Sequence, residues 1–286
     1  MSNGRDTGAG DHAASTGLVL TSAALLDAHF EACRPEYEAM LRSVGLQPGW
    51  RVLDAGCGSG SYLPLIAETV GPTGAITALD LAPENVAIVE RRATDWGLAT
   101  PIAARVGSLL ALLYADDAFD AVWCANTVGY LTDDELARTL AEFRRVVRPG
   151  GIVAIKEYDG TMHRVLPAPP YAIAHLIELC ARSGVTRDAG VVRTPVLAAQ
   201  LRQAGLTGVR MRTPMVERSA PLGPPERQFL GDILAYFAPL GLRHPVPAED
   251  RAFWERLTDP AVRERLLDDP DFSCCEGHVV AIGTAP

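Results

Sequence analysis

The sequence predicts an α/β fold with a doubly wound, mostly parallel seven-stranded sheet, helices on both faces and an additional helical cap or insert. Two observations support this prediction. Between residues 50 and 160, short apolar segments alternate with helical segments of about ten to fifteen residues, which is typical of βαβ units and a parallel sheet. Several of the apolar segments have no polar face, as expected for parallel strands that helices cover on both sides.

The predicted elements begin with a helix over residues 22–44, which Gly45 ends. Strands follow at 51–55, 75–80, 102–107, 119–125 and 152–156. Helices are predicted between them at 61–70, 83–96 and 132–147, and Thr132 and Glu135 at the start of the last one have the spacing of a capping box. The later elements are less regular, with helices at 171–181, 196–204, 226–240 and 250–257 and strands at 209–216 and 277–283.

These elements divide the chain into four parts. Residues 1–17 are rich in small and polar side chains and are predicted to form a disordered tail. Residues 18–46 are predicted to form an N-terminal helical cap, and residues 47–160 the ligand-binding core. Residues 161–286 are predicted to complete the sheet and to carry a helical, substrate-binding insert at about 219–275.

Composition excludes several classes of partner. With a formal net charge of −9 and a pI of about 5.2, the chain lacks the basic surface that nucleic-acid binding needs. No apolar run approaches the ~20 residues that span a bilayer, so no membrane association is expected. No signal segment is visible and the six cysteines show no zinc-binding spacing, which indicates a reduced, cytoplasmic protein without a metal. The adjacent Cys274 and Cys275 are interpreted as packing residues rather than as a soft-metal site.

The segment from Val52 to Gly60 is the strongest candidate for a ligand-binding loop, because its G-x-G-x-G run follows a strand and precedes a helix. Ser61 stands where a dinucleotide motif would need its third glycine. Asp54 directly precedes the loop, where a carboxylate would repel a pyrophosphate but attract an ammonium or sulfonium group. Asp80 ends the second strand and could accept ribose hydroxyl groups. Alternatively, the glycines only form a turn and Asp80 only caps a helix.

Together with residues 119–122 (FDAV) and 149–151 (PGG), the glycine motif and Asp80 resemble the class I, Rossmann-like S-adenosylmethionine-dependent methyltransferases over roughly residues 47–158. The resemblance implies S-adenosyl-L-methionine as cofactor, S-adenosyl-L-homocysteine as product and methyl transfer to an O, N or C atom of a small molecule. Two alternatives stay open: an enzyme of this fold with cyclase or decarboxylase chemistry, and a non-catalytic cofactor-binding module. A monomer and a homodimer are equally compatible with the sequence.

The resemblance also implies roles for individual residues. Asp54 and the glycine loop would hold the methionine part of the cofactor, Asp80 the ribose and Leu81 the adenine. Ser108 stands where many relatives carry an acidic residue that meets the adenine amine, and Asn126 either faces the cofactor or caps the next turn. The full set of implied cofactor-binding residues is Asp54, Gly56, Cys57, Gly58, Gly60, Asp80, Leu81, Ser108, Leu109 and Asn126.

Catalytic residues are harder to identify, because a sulfonium is already a reactive electrophile and in-line positioning supplies much of the rate. A hydroxyl or an acidic carbon as acceptor would benefit from a general base. Glu157, Tyr158 and His163 are the candidates, since ligands bind at the carboxyl ends of parallel strands. Each also has a structural interpretation: a strand-end hydrogen-bonding residue, a packing residue and a surface histidine. The aromatic residues at 219–258 indicate an apolar or aromatic acceptor, or ordinary core packing.

Overall fold

A computed structural model describes residues 22–184 and 186–286, so the predicted tail at 1–17 lies outside the described residues. The described chain contains one sheet with the strand order β3-β2-β1-β4-β5-β8-β6, in which β7 also pairs with β8. The strands are β1 Arg51–Ala55, β2 Ala75–Asp80, β3 Ile102–Val106, β4 Phe119–Ala125, β5 Val147–Leu166, β6 Thr207–Arg212, β7 Met215–Ser219 and β8 Ser273–Thr284. Strands β1 to β5 are parallel to one another, and β8 is antiparallel to β5, β6 and β7.

Helices cover both faces of this sheet. They are α1 Ala23–Ala32, α2 Arg34–Arg42, α3 Leu63–Val70, α4 Pro83–Asp95, α5 Asp133–Val146, α6 Ala172–Ala181, α7 Thr186–Arg193, α8 Leu197–Gln203, α9 Pro224–Arg243, α10 Ala248–Leu257 and α11 Pro260–Leu267. Along β4, Ala121 and Trp123 pack into one apolar cluster and Val122 and Cys124 into another, because successive strand residues point to opposite faces. The predicted doubly wound, mostly parallel α/β fold is therefore confirmed.

The sheet has eight strands among the described residues rather than the predicted seven. The single strand expected at 209–216 is two strands, β6 and β7, separated at Thr213 and Pro214. Proline has no backbone N–H for a sheet ladder, so the strand breaks there and each half pairs with a different part of β8.

Two further elements differ from the prediction in length. The helix expected at 22–44 is two helices that meet at Cys33, because Pro35 cannot donate a hydrogen bond to the preceding turn and disfavours the helical conformation before it. The strand expected at 152–156 extends over residues 147–166, since β8 pairs with it beyond the core of the sheet. A register shift between Asp159 and His163 absorbs the polar, turn-like residues in between.

The helices α9, α10 and α11 pack on one another, and α9 also packs on α1. This places the helices that follow β7 against the N-terminal helix, above the carboxyl ends of β4 and β5. Within the described residues, no helix combines the length and the apolar character that crossing a membrane requires.

Candidate active site

The loop between β1 and α3 has a backbone that only glycine adopts easily. Gly56, Gly58 and Gly60 have φ angles of 77°, 53° and 85°, in the left-handed region. A Cβ atom on Gly56 would lie 2.4 Å from Oγ1 of Thr127, so the loop and the segment after β4 approach each other too closely for any side chain at this position. The loop therefore needs glycine at these positions for its conformation and, at Gly56, for its close approach to Thr127.

A cavity of about 340 Å³ opens above this loop at the carboxyl ends of the parallel strands, and we call it the glycine-loop cavity. All of the predicted cofactor-binding residues except Gly60 line it: Asp54, Gly56, Cys57, Gly58, Asp80, Leu81, Ser108, Leu109 and Asn126. Gly60 instead lies under α3 and α4, where a Cβ atom would press on Leu63 and Val89. The absence of a side chain at Gly60 lets these helices pack closely.

Asp54 is the most unusual acid in this cavity. Its side chain is buried, and Oδ2 has no hydrogen-bond partner among the described residues. Burial, together with the nearby charge of Asp80, raises the pKa of Asp54 to about 8. A buried carboxylate without a partner is costly, and a cationic ligand group would lower that cost.

Asp80 lies beside it but is well hydrogen-bonded. Its Oδ2 accepts the N–H of Gly58 at 2.8 Å, and its Oδ1 accepts the N–H of Ala82 at 2.9 Å and the side-chain amide of Asn85 at 3.2 Å. These contacts fix the glycine loop and the segment that leads into α4, but Asp80 does not cap that helix, whose N-cap is Ala82. A carboxylate has further lone pairs, so ribose binding remains compatible with this geometry. The buried Asn85 is a contributor that the sequence analysis missed.

Ser108 and Asn126 complete the polar part of the cavity. Ser108 Oγ accepts the N–H of Leu110 at 3.2 Å. Asn126 has a φ of 52°, which is uncommon for a residue other than glycine. Its Oδ1 accepts a hydrogen bond from Nζ of Lys156 at 2.7 Å. Asn126 thus turns the chain at the end of β4 and presents its side chain at the cavity wall.

A second cavity of about 120 Å³, the apolar cavity, shares Leu26, His29, Asn126 and Tyr130 with the first. Its wall is formed mainly by apolar residues of α6, α7 and α9: Leu176, Ile177, Cys180, Val191, Phe229, Ile233, Phe237 and Leu240. Its polar residues include the three catalytic candidates, Glu157, Tyr158 and His163, and also Glu276. The structure therefore brings the three candidates together in a cavity that adjoins the glycine-loop cavity.

The three candidates have different surroundings. Glu157 Oε2 accepts the N–H of Gly129 at 3.0 Å, so this carboxylate holds the turn at 128–130 against β5. The hydroxyl of Tyr158 lies 2.6 Å from Nδ1 of His163. Burial lowers the pKa of His163, which keeps its imidazole neutral at pH 7. His163 is a buried residue and not a surface histidine.

Two interactions of the N-terminal helices were not predicted. Arg92 donates to both carboxylate oxygens of Asp27, and Ser59 of the glycine loop donates to the same carboxylate at 2.7 Å. Lys156 is fully buried, its Nζ lies 3.6 Å from the ring centroid of Tyr37, and burial lowers its pKa to about 7. Lys156 could have been noticed in the sequence, because a lysine is unusual within an otherwise apolar strand. The contacts of Asp27 depend on tertiary packing, so no local sequence pattern indicates them.

Comparisons with known proteins identify a methyltransferase domain in this chain. Residues 52–151 match the family model described as a methyltransferase domain. The ubiquinone/menaquinone biosynthesis C-methyltransferase UbiE of Cupriavidus taiwanensis is 33% identical over 42% of this chain and 47% of its own length. Nocamycin O-methyltransferase of Saccharothrix syringae is 30% identical over 62% of this chain and 59% of its own length. The chain thus spans about half the length of the curated relatives it matches.

Solved structures give the same assignment of the fold. A SAM-dependent methyltransferase from Aquifex aeolicus superimposes with a TM-score of 0.50 at 24% identity, covering 67% of this chain and 89% of that one. The parallel strand order, the glycine loop after β1 and the matched domain agree with one another. Residues 52–151 therefore match a methyltransferase domain, and the fold is that of the class I S-adenosylmethionine-dependent methyltransferases.

Proposed function

We propose that this protein transfers the methyl group of S-adenosylmethionine to an O, N or C atom of an apolar or aromatic small molecule. The observation that supports this most directly is the pair of adjoining cavities, one with an unpartnered buried carboxylate and one with apolar walls. They share Asn126 and Tyr130, so a cofactor and an acceptor in the two cavities would meet at this common wall.

The residues of the glycine-loop cavity suit the proposed cofactor, which supplies an electrophilic methyl group on a sulfonium. Asp54 would pair with the ammonium of the amino-acid part, and this contact would give its orphaned Oδ2 a partner. Asp80 would accept the ribose hydroxyls, and Leu81 and Leu109 would pack beside the adenine. The absence of a side chain at Gly56 keeps the backbone close to the ligand.

In the apolar cavity, the residues would orient the acceptor and remove its proton. Apolar side chains from α6 and α9 exclude water and favour an acceptor of the same character. An acceptor hydroxyl or acidic carbon that forms a bond to the methyl carbon must lose a proton. His163, hydrogen-bonded to Tyr158, would take up that proton, and the nearby charge of Glu276 would stabilise the imidazolium against the cost of burial. Glu157 would act as a positioning residue through Gly129.

A product assay tests the proposal. The protein is incubated with methyl-labelled S-adenosylmethionine and a panel of apolar and aromatic alcohols, phenols and amines, and the products are analysed by mass spectrometry. The proposal predicts a product that gains one labelled methyl group together with an equal amount of S-adenosylhomocysteine. A product formed without gain of the label would contradict it and favour cyclase or decarboxylase chemistry on this fold.

A further inference from the structure

Four side chains that commonly bind metals converge at the wall of the apolar cavity: His29, Cys33, Glu276 and His278. Each offers one ligand atom, and these four atoms all lie within 4.8 Å of one another. His29 and Glu276 also line the apolar cavity, whereas Cys33 and His278 are fully buried. The cluster therefore has an entry path from a cavity and an interior that water does not reach.

The fold explains why these side chains meet. His29 and Cys33 are four residues apart at the end of α1, and this spacing places two side chains on the same face of a helix. Glu276 and His278 are two residues apart on β8, so they point to the same face of the sheet. Two pairs of ligands, one from each end of the chain, thus face each other across the α1–β8 contact.

We propose that these four side chains bind one divalent transition-metal ion of the zinc class, which ties α1 to β8 beside the acceptor site. Two imidazoles, one thiolate and one carboxylate form a donor set typical of tetrahedral Zn²⁺. The thiolate and the carboxylate together carry two negative charges, which balance the charge of the ion. Four protein ligands leave no open position, so the ion would be structural and would take no part in methyl transfer.

The present contacts are close to those of a metal site. Oε1 of Glu276 lies 2.9 Å from Nε2 of His278 and 3.7 Å from Sγ of Cys33. Ligand atoms around a tetrahedral Zn²⁺ are about 3.3–3.8 Å apart, so the widest separation has to contract by only about 1 Å. Nδ1 of the buried His278, the ring nitrogen that does not face Glu276, has no hydrogen-bond partner among the described residues. A buried polar atom of this kind calls for an explanation.

The charges around the cluster are compatible with a cation. Burial lowers the pKa of His29 to about 3 and that of His278 to about 4, so both imidazoles are neutral at pH 7 and able to bind metal. Burial raises the pKa of Cys33, so the ion must displace the thiol proton, which is released to solvent. Lys156 is the nearby cation, and burial lowers its pKa.

The test uses Co²⁺ as a spectroscopic probe on the full-length protein after treatment with a chelator, without cofactor or acceptor. We expect one Co²⁺ per chain, with intense d–d bands of a tetrahedral site and a thiolate charge-transfer band, and displacement of Co²⁺ by Zn²⁺. In C33S, the charge-transfer band should disappear and the affinity for Co²⁺ should fall by about tenfold or more. The matched control is C275S on β8, next to Glu276 on the opposite face of the strand, and it should behave like the wild type.

Failure of the wild type to bind Co²⁺, or binding without a thiolate band, would overturn the proposal. Loss of the band in C275S but not in C33S would also overturn it. If C33S does not fold, the presence or absence of the thiolate band in the wild-type spectrum tests the proposal by itself. Because this measurement involves neither cofactor nor methyl transfer, its failure would leave the proposed function unaffected.

Discussion

At the scale of single residues, Asp54 is the acidic side chain of the glycine-loop cavity that most clearly lacks a binding partner. Its carboxyl is buried beside Asp80, and one of its oxygens has no hydrogen-bond partner within the described chain. Because burial and Asp80 raise the pKa of Asp54 to about 8, the carboxyl is largely protonated at pH 7 before a ligand binds. Ionisation of Asp54 is therefore unfavourable in the free protein, and a cationic ligand group would make it favourable.

This protonation state leads to a prediction about proton release. An ammonium next to Asp54 favours the charged carboxylate and lowers its pKa, so binding of S-adenosylhomocysteine at pH 7 should release close to one proton. Affinity should accordingly rise between pH 6 and about pH 7.5. Calorimetry in two buffers with different ionisation enthalpies measures the released protons. D54N should release none, and a wild-type protein that also released none would contradict the prediction.

Gly56 gives a second prediction at this scale. In Gly56→Ala, the new Cβ atom meets both an unfavourable φ and the side chain of Thr127 at 2.4 Å. Gly45→Ala is a matched control, because Gly45 has a φ of 86° but nothing within 4 Å of the new atom. Denaturant unfolding should show a loss of about 1 kcal/mol for Gly45→Ala. The loss should be larger for Gly56→Ala, with weaker binding of S-adenosylhomocysteine; equal losses would contradict the close approach.

A third prediction concerns the proposed base. H163A and Y158F should each lower kcat by about 10²-fold or more, because a positioned base typically contributes a factor of this size. Neither residue lines the glycine-loop cavity, so the Kd for S-adenosylhomocysteine should stay near the wild-type value. Measuring kcat and Kd together separates the two effects. Full activity in both variants would exclude the pair from proton removal.

At the scale of elements, α1 connects the two halves of the site. It contributes Leu26 and His29 to both cavities, and Asp27 joins it to Arg92 and to Ser59 of the glycine loop. The ion pair between Asp27 and Arg92 is partly exposed, so its free energy is modest on its own. Its effect comes from holding α1 over the loop.

The corresponding prediction compares two acids on α1. D27N should weaken binding of S-adenosylhomocysteine a few-fold and should speed up amide hydrogen exchange in α1. E31Q is the control, since Glu31 pairs with the exposed Arg34 at the start of α2 and touches neither cavity. Hydrogen-exchange mass spectrometry of both variants, with and without ligand, provides the measurement. Identical behaviour of the two variants would show that Asp27 does not hold the helix.

Sequence patterns predicted the elements whose signals are local. The capping box of Thr132 and Glu135 forms as expected, because its hydrogen bonds join residues only three positions apart. The extension of β5 beyond Lys156 was missed, since it depends on pairing with β8 more than a hundred residues later. The glycine loop and Asp80 belong to a local pattern and could be proposed from the sequence. The cluster of His29, Cys33 and the β8 residues joins distant parts of the chain, so no local pattern indicates it.

At the scale of the whole molecule, the helices after β7 and the N-terminal helix together cover the apolar cavity. The ring of Phe229 in α9 stacks on His29 in α1, with centroids 4.2 Å apart and an interplanar angle of 7°. We propose that the described part of the predicted N-terminal cap, residues 22–46, and the insert at about 219–275 cover the bound cofactor and acceptor and limit access of water.

This cap leads to a prediction about proteolysis. The segments at 221–225 and 243–247 flank α9, and both contain proline residues. If the cap closes over ligands, S-adenosylhomocysteine and an acceptor should slow limited proteolysis at both segments. Mass spectrometry of the fragments identifies the cut sites over time. Cleavage at an unchanged rate would indicate that the cap does not move.

Calorimetric titration with S-adenosylhomocysteine is the most direct test of the central claim, which is that the glycine-loop cavity binds this cofactor through Asp54. We expect one site per chain for the wild type and an affinity weakened by about tenfold or more in D54N, equivalent to about 1.4 kcal/mol. D95N removes an exposed carboxylate at the end of α4 and should bind like the wild type. No heat of binding in the wild type, or equal affinity in D54N, would contradict the account.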